Sequence, residues 1–106
     1  MIEAGFLTRR DGRLMGFRIS GHAGGQAGTD IVCAAVSSAA YLVANTVTEV
    51  LGASPLELRA GEGDMLLRLR PEDEPLCRAL LEGLRLHLEG LGEQYPEDIR
   101  TDCISI

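Results

Sequence analysis

His22 and Cys33 stand at the two ends of a glycine-bearing stretch, GHAGGQAGTDIVCAAVS, residues 21 to 37. An imidazole and a thiol held together can do nucleophilic chemistry. The imidazole removes the thiol proton, the thiolate attacks a carbonyl carbon, and the imidazole then returns a proton to the departing amine. Cys33 suits the nucleophile's part because it falls in the first turn of a helix expected from Asp30 onward, where unpaired amide N–H groups and the helix dipole favour an anion. His22 closes a strand just before the loop, where an imidazole can be held near a helix start without entering the core. Between them, Gly24, Gly25 and Gly28 permit unusual backbone angles and the close approach of a substrate chain, and amides of the loop or of Cys33 can serve an oxyanion.

Asp30 has two readings. Either it or Thr29 caps the helix, in which case its charge is taken up by backbone donors, or it bonds to His22 and orients the imidazole as the third member of a triad-like set. Ser37 lies one helical turn beyond Cys33 on the same face, and either lines the site or packs on helix backbone. Spacing alone does not separate such a dyad from a small buried cysteine beside an unrelated histidine. Cys77 and Cys103 lack the setting of Cys33: the first sits on the leucine-rich side of a later helix and the second alternates within a terminal strand. His87 neighbours Leu84, Leu88 and Leu91 and reads as a packed or partly exposed side chain. With no CxxC and no short ligand pairs among three cysteines and two histidines, neither a disulfide framework nor a metal site is expected, and the proposed chemistry needs no cofactor.

The positioning elements follow from hydrophobic period and turn residues. Asp11-Gly12 signals a two-residue hairpin that sets Arg10 opposite Arg13, Thr8 opposite Met15, Phe6 opposite Phe17 and Ala4 opposite Ile19. A long helix runs from Asp30 to about Leu51, where Gly52 and Pro55 end it. Its first fourteen residues are apolar or small nearly all round, as expected of a helix covered on more than one side, a second subunit included. Leu56, Leu58 and Ala60 face Leu69, Leu67 and Met65 across the turn Gly61 to Asp64. After Pro71 an amphipathic helix carries Leu76, Leu80, Leu84, Leu88 and Leu91 as its apolar stripe, and Ile99 to Ile106 forms a last strand. The order strand, strand, helix, strand, strand, helix, strand gives an α+β fold with two helices on a largely antiparallel sheet.

A chain of 106 residues, 45% hydrophobic and 25% charged, matches one folded domain spanning residues 1–106. Its net charge of −6 opposes direct binding to nucleic acid and suits attraction of a basic protein or peptide. The odd cysteine count fits a reducing cytoplasm, and the apolar run Ile31 to Ala44, interrupted by Ser37 and Ser38, is too short to span a membrane.

The sequence GHA, a glycine-bearing loop, and GTDIVCAAVS, with the ending EQYPEDIR at residues 93 to 100, resembles the bacterial ribosomal-processing cysteine proteases called Prp over the whole chain. The loop between His22 and Cys33 is a residue shorter than in that family. The resemblance implies a homodimeric enzyme that removes the N-terminal extension of a large-subunit ribosomal protein during ribosome assembly, cutting after an aromatic residue. It also implies Cys33 as nucleophile and His22 as base, with Asp30 and Ser37 at matching motif positions. Two rivals use the same residues differently: a non-enzymatic ribosome assembly or binding factor with Cys33 inert, and a thiol redox sensor in which Cys33 is oxidised.

Overall fold

Among the described residues, five strands and two α-helices follow in the order that the hairpin and helix signals predict. The strands are β1 Ile2–Thr8, β2 Leu14–Ser20, β3 Glu57–Gly61, β4 Asp64–Arg68 and β5 Ile99–Ser105; helix α1 spans Thr29–Asn45 and helix α2 spans Glu74–Gln94. The computed structural model describes residues 1–22, 29–61 and 63–106, with Thr29 and Asp30 described as backbone alone. The fold is α+β, and its sheet runs β3-β4-β2-β1-β5.

The first hairpin keeps its central register but not its turn. Ala4 faces Ile19 and Phe6 faces Phe17 as expected, whereas Thr8 faces Leu14 in place of Met15. Arg9, not Arg10, is bonded opposite Arg13, through an Arg9 N–H to Arg13 carbonyl bond of 2.9 Å. The loop is therefore three residues, Arg10 to Gly12, closed by a Gly12 N–H to Arg9 carbonyl bond of 2.9 Å, with Gly12 at φ +88°. A bulge between Leu7 and Thr8 in the β1 register, opposite Met15, absorbs the offset and returns the apolar pairs to phase.

The second hairpin pairs Leu58 with Leu67 and Ala60 with Met65, as the spacing requires. β4 then pairs antiparallel with β2, where Gly16 permits a close approach: a Cβ there would overlap the carbonyl oxygen of Leu67. β5 alone is parallel, alongside β1 with Ile2 opposite Ile99, because α2 supplies the long crossover that a parallel neighbour needs.

Helix α1 starts at Thr29, a residue earlier than expected, and continues into a π-helical turn, Thr46–Val50, closed by a Leu51 N–H to Thr46 carbonyl bond of 2.8 Å. Gly52, at φ +69°, ends it. Val32, Val36, Ala40, Val43 and Val47 enter the core, while Ile31 and Leu42 on the outward side are each 66% exposed. The apolar stretch extends beyond Ala44: Ile31–Val50, 20 residues of mean hydropathy 1.6, is long and apolar enough to cross a membrane by length and composition. Here its inner face packs on the sheet as a core helix does.

The stripe of α2 is rotated from the expected one. Cys77, Leu81, Leu84 and Leu88 are buried, whereas Leu76 is 54% exposed and Leu80 and Leu91 are only half-buried. The chain enters α2 through a 3₁₀ turn, Pro71–Asp73, and that phase brings Glu74 inward along with Cys77. The Glu74 carboxylate is satisfied by a bidentate Arg78, with Nε at 2.8 Å and Nη2 at 2.6 Å, and by Arg13 Nε at 3.6 Å. These contacts hold its carboxyl below the usual range: hydrogen bonds from Arg78 outweigh burial, which acts in the opposite direction.

Candidate active site

The backbone near His22 is wedged between two other parts of the chain. After β2, Gly21 turns through φ +88° and donates its N–H to the Gly63 carbonyl at 3.0 Å. A Cβ at Gly21 would overlap the carbonyl oxygen of Met1, so only glycine fits the passage. The imidazole of His22 then lies over the Cα of Gly63, in the turn between β3 and β4. A Cβ on Gly63 would stand 2.8 Å from Cε1 and nearer still to Nε2. The strand register brings these residues together, since Ser20 pairs with Asp64 and the next residue of each strand end continues the contact.

Cys33 is the fifth residue of α1, one turn in from Thr29. It is half-buried and packs against the core beneath it. The Cα–Cβ bond of a helical residue tilts toward the N-terminus, so the Cys33 side chain leaves the helix on the side of its start. Ser37 and Tyr41 follow at successive four-residue steps, both exposed.

The two walls enclose a cleft of about 520 Å³. His22, Gly21 and Gly63 form one side, and Cys33, Ser37 and Tyr41 the other. The floor is apolar, from Ile2, Ile19, Val36, Ala40 and Met65. At its rim Asp64 holds Arg59 Nε at 3.0 Å and Arg18 Nε at 3.8 Å. An exposed imidazole, a partly sheltered thiol and an apolar floor suit a peptide substrate that presents one carbonyl to a nucleophile and one side chain to a pocket.

Of the residues expected from the sequence, His22, Cys33 and Ser37 border this one cleft. Asp30 is the second residue of α1, and its expected capping or orienting contact lies outside the described residues, as do Gly24, Gly25 and Gly28 with the loop they belong to. Cys77 is fully buried, Cys103 is exposed on β5, and His87 is exposed beside the groove between α1 and α2. Among the described residues no group of three or more His, Cys, Asp or Glu could hold a metal ion. Sequence reasoning missed Tyr41, although the step from Cys33 to Ser37, taken once more, reaches it. It also missed Gly21 and Gly63, whose meeting depends on pairing between distant strands.

A family model described as cysteine protease Prp matches residues 1–100. The chain belongs to the cysteine protease Prp family. Within that family, the ribosomal processing cysteine protease Prp of Bacillus subtilis (strain 168) is 30% identical over 108 residues, covering 95% of this chain and 96% of its own. The fold recurs in SMU.848 from Streptococcus mutans, with a TM-score of 0.83 and 29% identity over 100% of this chain and 99% of that one. It recurs again in an essential ribosomal processing protease Prp from S. aureus, solved with a substrate peptide. There the TM-score is 0.86 at 22% identity, over 98% of this chain and 100% of that one. Agreement with the Prp fold thus extends over nearly the whole chain.

Proposed function

We propose that this cysteine protease uses Cys33 as nucleophile and His22 as general base and acid to remove the N-terminal extension of a large-subunit ribosomal protein, working in the cytoplasm as a homodimer. The observation that carries the reading is the meeting of His22 and Cys33 around one cleft, although a glycine-bearing loop separates them in sequence. The name of the Bacillus subtilis relative supports the ribosomal substrate. In this reading His22 takes the Cys33 proton and the thiolate adds to the scissile carbonyl. As the tetrahedral intermediate collapses, the C–N bond breaks and His22 protonates the amine that leaves. Water, activated by the same imidazole, then hydrolyses the thioester and frees the thiol. No cofactor enters these steps.

The apolar floor formed by Val36, Ala40 and Met65 suits an apolar side chain of the peptide next to the cut bond. The acidic chain, at −6, favours approach of a basic ribosomal protein, so cleavage slows as salt rises. A second copy is expected on the outward side of α1, where Ile31 and Leu42 are left uncovered. Light scattering across a dilution series reads that state directly.

The test is incubation of wild type, Cys33→Ala and His22→Ala with a peptide spanning the extension junction, followed by mass spectrometry. Cleavage at one bond by wild type alone is the expected result. Cleavage retained by Cys33→Ala overturns the assignment of the nucleophile. Binding of the peptide with no cleavage by any of the three identifies a binding factor instead.

A further inference from the structure

We infer that Gly63, in the turn between β3 and β4, is a positioning residue that seats the His22 imidazole. The inference rests on the reading of His22 as the base and deepens it. Three observations converge on that turn. Gly63 adopts φ +75°, a left-handed conformation that side-chain-bearing residues rarely take. The missing side chain leaves the space that the imidazole occupies, since a Cβ would fall 2.8 Å from Cε1 and closer to Nε2. The Gly63 carbonyl, in addition, accepts the Gly21 N–H at 3.0 Å, one residue before His22, so the same glycine fixes the backbone that carries the ring and the surface on which the ring rests.

The consequence is that strand pairing far from Cys33 sets where the base points. His22 is exposed and directly follows Gly21, itself held by the Gly63 carbonyl. Contact with Gly63 supplies a restraint from the neighbouring β3–β4 turn on the same wall. Any side chain at 63 would push the ring off that surface while leaving Cys33, the cleft floor and the sheet register in place. Displacement of a reacting group by about 1 Å is enough to lower turnover by about a hundredfold.

Gly63→Ala tests this beside Gly52→Ala. Gly52 has a similar left-handed angle, φ +69°, with no heavy atom within 4 Å of an added Cβ, so it carries the backbone strain without the contact. On the junction peptide, Gly63→Ala is expected to lower kcat by about 10- to 100-fold with KM within about threefold of wild type. Gly52→Ala keeps both constants within about twofold, even if its thermal midpoint falls as far. Proton NMR gives a readout separate from catalysis and from the folding of any variant. The chain has only two histidines, so the His22 ring signals are identified by their loss in His22→Asn. In wild type these signals should show cross-relaxation to the Gly63 α protons, and Gly63→Ala should shift them while leaving those of His87 unmoved. Absence of that cross-relaxation, or a Gly63→Ala enzyme with wild-type kcat, overturns the assignment. If wild type does not cleave the peptide, the protease reading fails alone, because the NMR measurement still decides whether Gly63 seats the ring.

Discussion

Cys33 and Cys77 occupy nearly the same place on two different helices. The first is the fifth residue of α1 and the second the fourth residue of α2. Both therefore lie in the first two turns of a helix. Their surroundings part them. Cys33 borders an open cleft shared with His22, whereas Cys77 is fully buried beneath leucines. Burial pushes the Cys77 thiol up, and the carboxylates of Asp73 and Glu74 push it the same way. A helix start is thus no guarantee of a reactive cysteine. Burial and two neighbouring carboxylates disfavour the Cys77 thiolate, and access to the cleft is what sets Cys33 apart.

The largest expected effect tests that contrast directly. Cys33→Ala should lower cleavage of the junction peptide by at least about a thousandfold, as removal of a catalytic nucleophile does. Cys77→Ala should leave kcat within about threefold and reduce stability by about 1–2 kcal/mol through the small cavity it creates. Peptide assays with both variants, alongside denaturant unfolding, give the four numbers. A large loss of turnover in folded Cys77→Ala would erase the distinction between the two sites.

Native-state alkylation sharpens the same comparison by access alone. Iodoacetamide should modify Cys33 and the exposed Cys103 while sparing Cys77, whose labelling should be slower by about a hundredfold or more and should track unfolding of the chain. Mass spectrometry of timed digests separates the three sites. Labelling of Cys77 at the pace of Cys103 in folded protein would show that α2 opens far more readily than its packing implies.

The contrast also explains how far the sequence could be read. The Phe6–Phe17 and Leu58–Leu67 registers were legible, because alternation fixes which residues share a sheet face and a one-residue slip would reverse them. The turn of the first hairpin was not. Asp11-Gly12 suits a two-residue loop, yet the chain takes a third residue and a bulge restores the register, a compensation that no local rule requires. The stripe of α2 was misphased because five leucines spaced from Leu76 to Leu91 outvote a glutamate in any hydrophobic count. Glu74 goes inward because Arg78 and Arg13 accompany it. At the site, residue type and helical spacing named His22, Cys33 and Ser37 as candidates that border one cleft, but only the resemblance to the Prp family set the pair apart from an unrelated histidine and cysteine. Gly21 and Gly63 were not legible, since their contact is made by strands more than forty positions apart in sequence.

Glu74 provides the next test, on the α2 side of the comparison. Its folded value lies below the ordinary 4.5, so the group contributes stability that is fully present above about that pH. The contribution is lost as pH falls through the lower folded value. Chemical denaturation across this acid range should show wild-type stability falling as pH drops, and Glu74→Gln should flatten that part of the slope. At neutral pH, Glu74→Gln should cost about 1–3 kcal/mol, because a neutral amide leaves the Arg78 and Arg13 contacts without their charge partner at a buried site. Cleavage per folded molecule should remain unchanged, since Glu74 lies outside the cleft lining. Equal slopes in the two proteins would mean that some other carboxylate carries the acid dependence.

The smallest expected effect falls back on α1, at Ser37. Its hydroxyl is exposed at the cleft wall one turn from Cys33, so it can meet a bound peptide without holding the fold together. A single hydrogen bond at such a site is worth about 0.5–1.5 kcal/mol. Ser37→Ala should therefore raise KM by about two- to tenfold, leave kcat near wild type, and leave the unfolding midpoint unmoved. That pattern would separate a hydroxyl that grips substrate from one that packs on helix backbone, for which stability would fall and KM would stay. A drop in kcat with KM constant would instead place the hydroxyl among the groups acting on the transition state, and the functional face of α1 would then extend a full turn beyond the thiol.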